Sequence, residues 1–307
     1  MLPEKYAKPQ IVVITLTDNC ALTCSFCNNN KKFKNVMPFE SFKMIIEKFI
    51  SEGIYSFELT PTVGDSITIS NLYQYFDYLE QHPKVNTYFW FTSLVSSHKL
   101  SDEEIDRLFL NRKKFYTVVS IYSLHYNNYK VRTQSSKATF NIFDHNLTKL
   151  LELNLPKDQL ILRNRSEGNR LDEILFVNKM KEYPEPLWET CSKDSLNYNG
   201  SREQLCCNFY INFGCFLNGD ITTCAYADFR KEAIIGNVFN FSLKEILYNY
   251  YNKHRDADIC KNCMLYDPIE GSNKTPIDEF NESFGFKTFR NREQNFRIGG
   301  INEISEK

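Results

Sequence analysis

From Ile11 to about Tyr183 the chain alternates short β-branched or aromatic runs with amphipathic helical stretches, and this alternation restricts the fold more than any other feature. Strands are predicted at 11–16, 55–60, 87–92, 115–122 and 159–163, with 186–191 as the candidate for a sixth. Between them, Phe39, Phe42, Ile45, Ile46, Phe49 and Ile50 recur at helical spacing and stop at Gly53, a residue suited to a helix end. Leu72, Tyr75, Phe76 and Leu79 repeat the pattern after Asn71. Ser101 and Glu104 form a capping box that opens a third helix. Phe140, Phe143, Leu147, Leu150 and Leu151 stripe a fourth, and a fifth covers 171–182. Strands and helices in this order predict parallel strands joined by right-handed crossovers, an α/β fold that is an open or closed barrel. In such folds the loops after the carboxyl ends of the strands carry the chemistry.

The loop after the first strand holds Cys20, Cys24 and Cys27, spaced C-x3-C-x2-C. Three thiolates on one tight loop can hold three corners of a four-iron four-sulfur cluster and leave the fourth iron without a protein ligand, open to a small molecule. Zinc is the alternative. A structural zinc site needs four closed ligands, and no fourth Cys or His follows closely after Cys27.

With 307 residues and 42% apolar content, the chain can bury a real core as one large domain, or as one domain with a smaller appendage. Its formal net charge of −1 gives no general attraction to nucleic acid or to an acidic membrane surface. A segment from Phe286 to Arg297 interleaves basic and aromatic residues, but it is short and reads as a solvated or packed tail. The amino terminus lacks the basic-then-apolar build of a signal peptide, and no apolar run approaches a membrane span. A soluble, cytoplasmic protein is expected, so the ten cysteines are read as reduced thiols available to metals.

The run from Cys20 to Cys27, with Phe26 just before the last cysteine, resembles the radical S-adenosylmethionine (SAM) superfamily. That resemblance implies a partial (β/α)6 barrel over residues 1–190, with SAM on the open iron and Phe26 against its adenine. The segment from Glu58 to Asp65 occupies the place of the family's Gly-Gly-Glu, which holds the amino group of the cofactor's methionine. Here only Gly64 and Asp65 are similar, and the acid is one carbon shorter. By the same resemblance, Ser120 in strand four and Arg163 or Asn164 at the end of strand five help hold the ribose and carboxylate. An arginine has a physical reason to do so, because it pairs with a carboxylate bidentately.

After about Cys191 cysteines become dense. The stretch 206–224 reads as a hairpin turning at Asn218, Gly219 and Asp220, and Ser242 to Glu245 opens a capped helix. Cys206, Gly219 and Cys224, followed by Cys260 and Cys263, resemble the "twitch" auxiliary-cluster domain of SPASM/twitch enzymes. The resemblance places that domain at 191–271, ahead of a polar tail at 272–307. Two separated thiolate pairs would close a second four-iron cluster, although a four-thiolate zinc site answers the same pattern. Cys207 is an alternative to Cys206, while Cys191 and Cys215 have no assigned role.

The implied function is reductive cleavage of SAM to a 5′-deoxyadenosyl radical, hydrogen abstraction from a small metabolite or a peptide, and an oxidative outcome assisted by the auxiliary cluster. An external one-electron reductant such as flavodoxin or ferredoxin is the implied partner. Epimerisation or cross-linking of a peptide is the second reading. Only about ten residues precede strand one, which leans toward a small metabolite or a peptide presented without a leader-binding domain. A zinc-binding interaction protein without catalytic activity is the reading of a different class.

Overall fold

The computed structural model describes residues 11–24, 27, 34–61, 64–156, 159–165, 174–175, 212–223 and 233–249. Among the described residues eight strands form one sheet, β1 (Ile11–Ile14), β2 (Ser56–Glu58), β3 (Thr87–Thr92), β4 (Phe115–Ile121), β5 (Leu160–Asn164), β6 (Asn212–Cys215), β7 (Asp220–Thr222) and β8 (Ile234–Asn237). Their order is β5-β4-β3-β2-β1-β6-β7-β8. Neighbours from β5 through β1 to β6 are parallel, and β7 and β8 extend the sheet antiparallel. Each early strand thus lies beside its predecessor in sequence, as crossover connections require.

The helices form where the apolar spacing says they should. In α1 (Phe39–Ser51) Phe42, Ile45, Ile46, Phe49 and Ile50 are buried, and Gly53 follows at φ 82°. In α2 (Leu72–Gln81) the buried residues are Leu72, Tyr75, Phe76 and Leu79. The capping box of α3 (Asp102–Phe109) is reciprocal: Ser101 Oγ accepts from Glu104 N at 3.2 Å and Glu104 Oε2 accepts from Ser101 N at 2.8 Å. Between β4 and the long α5 (Lys137–Glu152) lies a helix the spacing did not announce, α4 (Tyr126–Thr133), which buries only Tyr129 and Thr133. Two buried positions in eight residues make no recognisable stripe. Of the helix expected over 171–182 only Ile174 and Leu175 are described, and both are helical. The candidate strand 186–191 lies outside the described residues. The hairpin expected at 206–224 is present as β6 and β7, with Gly219 at φ 82° in its turn, and α6 (Leu243–Asn249) follows Ser242.

The sheet has two unlike faces. Val12, Ile14, Phe57, Tyr88, Trp90, Val119 and Leu162 point into the core beneath the helices. Side chains alternate along a strand, so the residues between them face the other way. In register these are Val13 beside Glu58, Glu58 beside Phe89, Phe91 beside Val118, and Ser120 beside Arg163. On this second face Glu58 is fully buried, and Ser120 and Arg163 are each 5% exposed. Ionisable side chains at such burial are costly in a purely packed interior, and among the residues paired here they lie on this otherwise apolar face.

Candidate cofactor and metal site

Parallel pairing brings the carboxyl ends of β1 to β5 to one edge of the sheet, and the cysteine loop starts there. Its neck is clamped. Met37 N donates to Leu16 O at 2.8 Å and Thr17 Oγ1 donates to Asn35 O at 2.7 Å. Asp18 takes both the backbone N–H and the side-chain amide of Asn35, each at 2.8 Å. The clamp closes the loop from Cys20 to Cys27 at its base.

Two further contacts fix the loop's position. Asp65 N donates to Asn19 O at 2.7 Å. Gly64, at φ 114°, lies so close that a Cβ on it would sit 2.6 Å from Thr17 O and 2.9 Å from Asn19 O. Both its backbone angle and this approach require glycine. On the other side Thr23 N donates to Thr133 O at 3.2 Å, seating the loop on the last turn of α4.

Within the loop Cys20 and Cys24 are half-buried and Cys27 is exposed. Leu22 N donates to Cys20 Sγ at 3.4 Å, and Cys27 N donates to Cys24 O at 3.0 Å. Burial, followed by the charges of Cys20 and Cys27, pushes the Cys24 thiol up to about 12, while Arg165 pulls it down. A bound cationic centre would relieve the cost of ionising Cys24 beside its two neighbours. Among the described residues no three His, Cys, Asp or Glu side chains come close enough to share one metal ion. A four-iron cluster places each thiolate on its own iron and does not ask the sulfurs to converge.

Asp65 is fixed more tightly than a loop residue needs to be. Its Oδ2 accepts from Ser93 N at 2.7 Å and Ser93 Oγ at 2.6 Å, and its Oδ1 from Thr92 Oγ1 at 3.0 Å and Ile67 N at 3.3 Å. Burial raises its pKa, and the Ser93 hydrogen bonds oppose that rise. The carboxylate thus ties the loop after β2 to the end of β3. The stretch after β3 is held in turn by Asn146 of α5, whose Nδ2 donates to Leu94 O at 2.9 Å and whose Oδ1 accepts from Leu100 N at 2.9 Å.

Ser120 and Arg163 sit side by side on β4 and β5, and the Arg163 guanidinium lies 4.5 Å from the centre of the Phe91 ring. The backbone of Asn164 pairs with Ile121 in β5. Spacing did not single out Arg165, yet it is the cation within range of Cys24 and Tyr122. Its parity with Arg163 along the strand was the available signal. Asp18, Asn35 and Tyr129 were also missed, because each acts through a contact made distant in sequence. Phe26, Cys206, Cys207, Cys224, Cys260, Cys263 and Cys191 lie outside the described residues. Cys215 is buried on β6, where burial pushes its thiol well up.

The architecture is a mixed α/β fold built on a parallel sheet, and it is shared with solved structures. Native anSMEcpe, solved with bound AdoMet and a Cp18Cys peptide, matches 96% of this chain and 99% of its own at TM-score 0.63 and 11% identity. BtrN, in complex with AdoMet and 2-DOIA, matches 83% of this chain and 93% of its own at TM-score 0.53 and 15% identity. SuiB of Streptococcus suis, bound to the precursor peptide SuiA, matches 84% of this chain and 71% of its own at TM-score 0.53 and 15% identity. At these identities the likeness is one of fold. No family model and no curated protein matches the sequence. No helix among the described residues is long and apolar enough to cross a membrane.

Proposed function

We propose that this chain is a radical SAM enzyme. The observation that carries the reading is the position of the three-cysteine loop. It stands at the carboxyl edge of the parallel sheet, clamped by Asp18 and Asn35 and pressed against Gly64. Cys20, Cys24 and Cys27 would hold three irons of a four-iron cluster, and SAM would take the fourth. When bound, the reduced cluster and SAM together supply a 5′-deoxyadenosyl radical able to take a hydrogen atom from an unreactive C–H bond.

The chain's own residues position and shield. The Gly64–Asp65 segment offers its backbone to the methionine end of SAM, and Phe26 offers a ring to the adenine. Asp65 sets that backbone through β3; with its oxygens already accepting from Thr92, Ser93 and Ile67, it acts by holding the loop in place. Ser120 serves the ribose. Arg163, Arg165 and Asn164 supply polar contacts for carboxylates, bidentate where an arginine is used. Glu58 and Arg163 place one acidic and one basic side chain on the inner face of the sheet.

We read Cys206 or Cys207 with Cys224, Cys260 and Cys263 as ligands of a second, auxiliary cluster within a twitch domain at 191–271. Four-thiolate ligation there leaves no open iron and suits an electron acceptor. An oxidative outcome on a small metabolite or a peptide follows, in a cytoplasmic enzyme supplied by a flavodoxin or ferredoxin. BtrN and SuiB, which share the fold, are solved with 2-DOIA and a precursor peptide respectively, so both substrate classes stay within the proposal.

An anaerobic assay with dithionite and SAM tests the reading. Release of 5′-deoxyadenosine, quickened by one of a panel of sugars and peptides, is expected. Absence of release from a protein carrying a full iron complement would overturn it. For the auxiliary site, Cys260→Ala is expected to keep 5′-deoxyadenosine formation and lose the oxidised product.

A further inference from the structure

Tyr129 stands one turn before the carboxyl end of α4, and that end carries the cysteine loop. Thr133 O accepts from Thr23 N at 3.2 Å, and Thr133 Oγ1 donates to Tyr129 O at 2.7 Å. The ring is fully buried and fixed on its sides, stacked on Phe143 at 5.1 Å and edge-on to Phe140 at 5.1 Å and Tyr122 at 6.5 Å. Its hydroxyl is buried and has no hydrogen-bond partner among the described residues. The ionisable groups acting on that hydroxyl are Cys24, Cys20 and Asp65, two of them triad cysteines.

An unpartnered buried hydroxyl is costly, and phenylalanine would fill the same ring position without that cost. A packing role accounts for the ring and leaves the oxygen unexplained. Two of the three ionisable groups whose charge reaches the oxygen are triad sulfurs, which accept hydrogen bonds best when they carry negative charge.

We infer that Tyr129 is a positioning residue for the cluster, its hydroxyl donating a hydrogen bond to a sulfur of the centre held by Cys20, Cys24 and Cys27. This rests on the proposed cluster and adds to it a determinant of reduction potential on α4. A donor to sulfur stabilises the extra negative charge of the reduced centre, so it raises the potential and eases the first electron's entry. No proton leaves Tyr129, which remains a neutral donor throughout.

The experiment is a redox titration of the reconstituted full chain, followed by EPR, on wild type and Tyr129→Phe, with iron counted in both. The variant is expected to hold as much iron as wild type and to titrate at a lower potential. A second protein, with a difluorotyrosine in place of Tyr129, keeps the hydroxyl and makes it a stronger donor; its potential is expected to move the opposite way. Equal potentials in all three iron-loaded proteins would overturn the hydrogen bond and leave the cluster assignment standing. If Tyr129→Phe loses iron, the difluorotyrosine protein decides: an upward shift supports the bond and no shift overturns it. A wild-type chain that binds no iron would overturn both inference and proposed function.

Discussion

Ser93 donates both its backbone N–H and its hydroxyl to one oxygen of Asp65, at 2.7 and 2.6 Å, in a site where the carboxylate is 4% exposed. This joins the ends of β2 and β3 at the edge that carries the cysteine loop. Asp65→Ala would leave the Ser93 and Thr92 donors buried without an acceptor, at a cost of about 3 kcal/mol. Ser93→Ala removes one donor and leaves Ser93 N in place, at about 1 kcal/mol. Urea unfolding of the two variants checks the order. Equal losses would mean that the tie is not centred on the carboxylate.

Gly64→Ala places a methyl against the carbonyl oxygens of Thr17 and Asn19, and the backbone there cannot rotate away as a side chain would. With the cost of φ 114° for a non-glycine residue added, a loss of about 2 kcal/mol or more is expected. The cysteine loop is the part displaced. Iron bound per chain after anaerobic reconstitution should therefore fall alongside the melting temperature. A variant that melts lower but binds iron as wild type would show that the loop tolerates the shift.

Cluster loading should strengthen with pH. The Cys24 thiol is held up to about 12 by burial and by its two partner cysteines, so in the metal-free protein it is protonated at every working pH. Ligation must expel that proton, and this one group makes iron binding about tenfold tighter per pH unit up to its pKa. Iron competition against a chelator between about pH 6.5 and 8.5 measures the slope. A flat profile would mean that Cys24 is not a ligand.

The α3 cap gives a pH signature of stability away from the site. The Ser101 N–H, and after it His98, hold the Glu104 carboxyl below its ordinary 4.5. Its folded-state value is depressed, so its contribution is present above pH 4.5 and disappears as pH falls through the lower folded value. Wild type and Glu104→Gln should differ near neutrality by a few tenths of a kcal/mol, as suits a largely exposed group, and converge in acid. Ser101→Ala, which removes the cap acceptor itself, should cost about 1 kcal/mol at both ends.

What was readable in advance follows from how far each signal travels along the chain. The stripe in α1 and the box at Ser101 and Glu104 are encoded within a turn or two, and β3 lies at 87–92 as its aromatic run indicates. Cys20, Cys24 and Cys27 announce themselves by spacing alone. Two of the partners that fix them do not, because Asn35 and Thr133 reach the loop only through the strand order and the packing of α4, whereas Gly64 was singled out for the cofactor and its close approach to the loop was not. α4 was missed because its short sequence carries its inward chemistry on Tyr129 and Thr133 alone. Arg163 was chosen for the end of β5, where it stacks on Phe91, whereas Arg165, two residues on, is the one the fold brings within range of Cys24.

The claim on which the account turns is that Cys20, Cys24 and Cys27 leave one iron corner for SAM. ENDOR spectroscopy of the reduced chain, with SAM labelled at the nitrogen and carboxylate of its methionine, addresses it without any knowledge of the substrate. Hyperfine coupling from both labels to the cluster is the expected result, and it should vanish on mutation of any one of the three cysteines. An iron-loaded chain whose cluster shows no coupling to either label, or whose fourth iron is held by a protein side chain, would contradict the account.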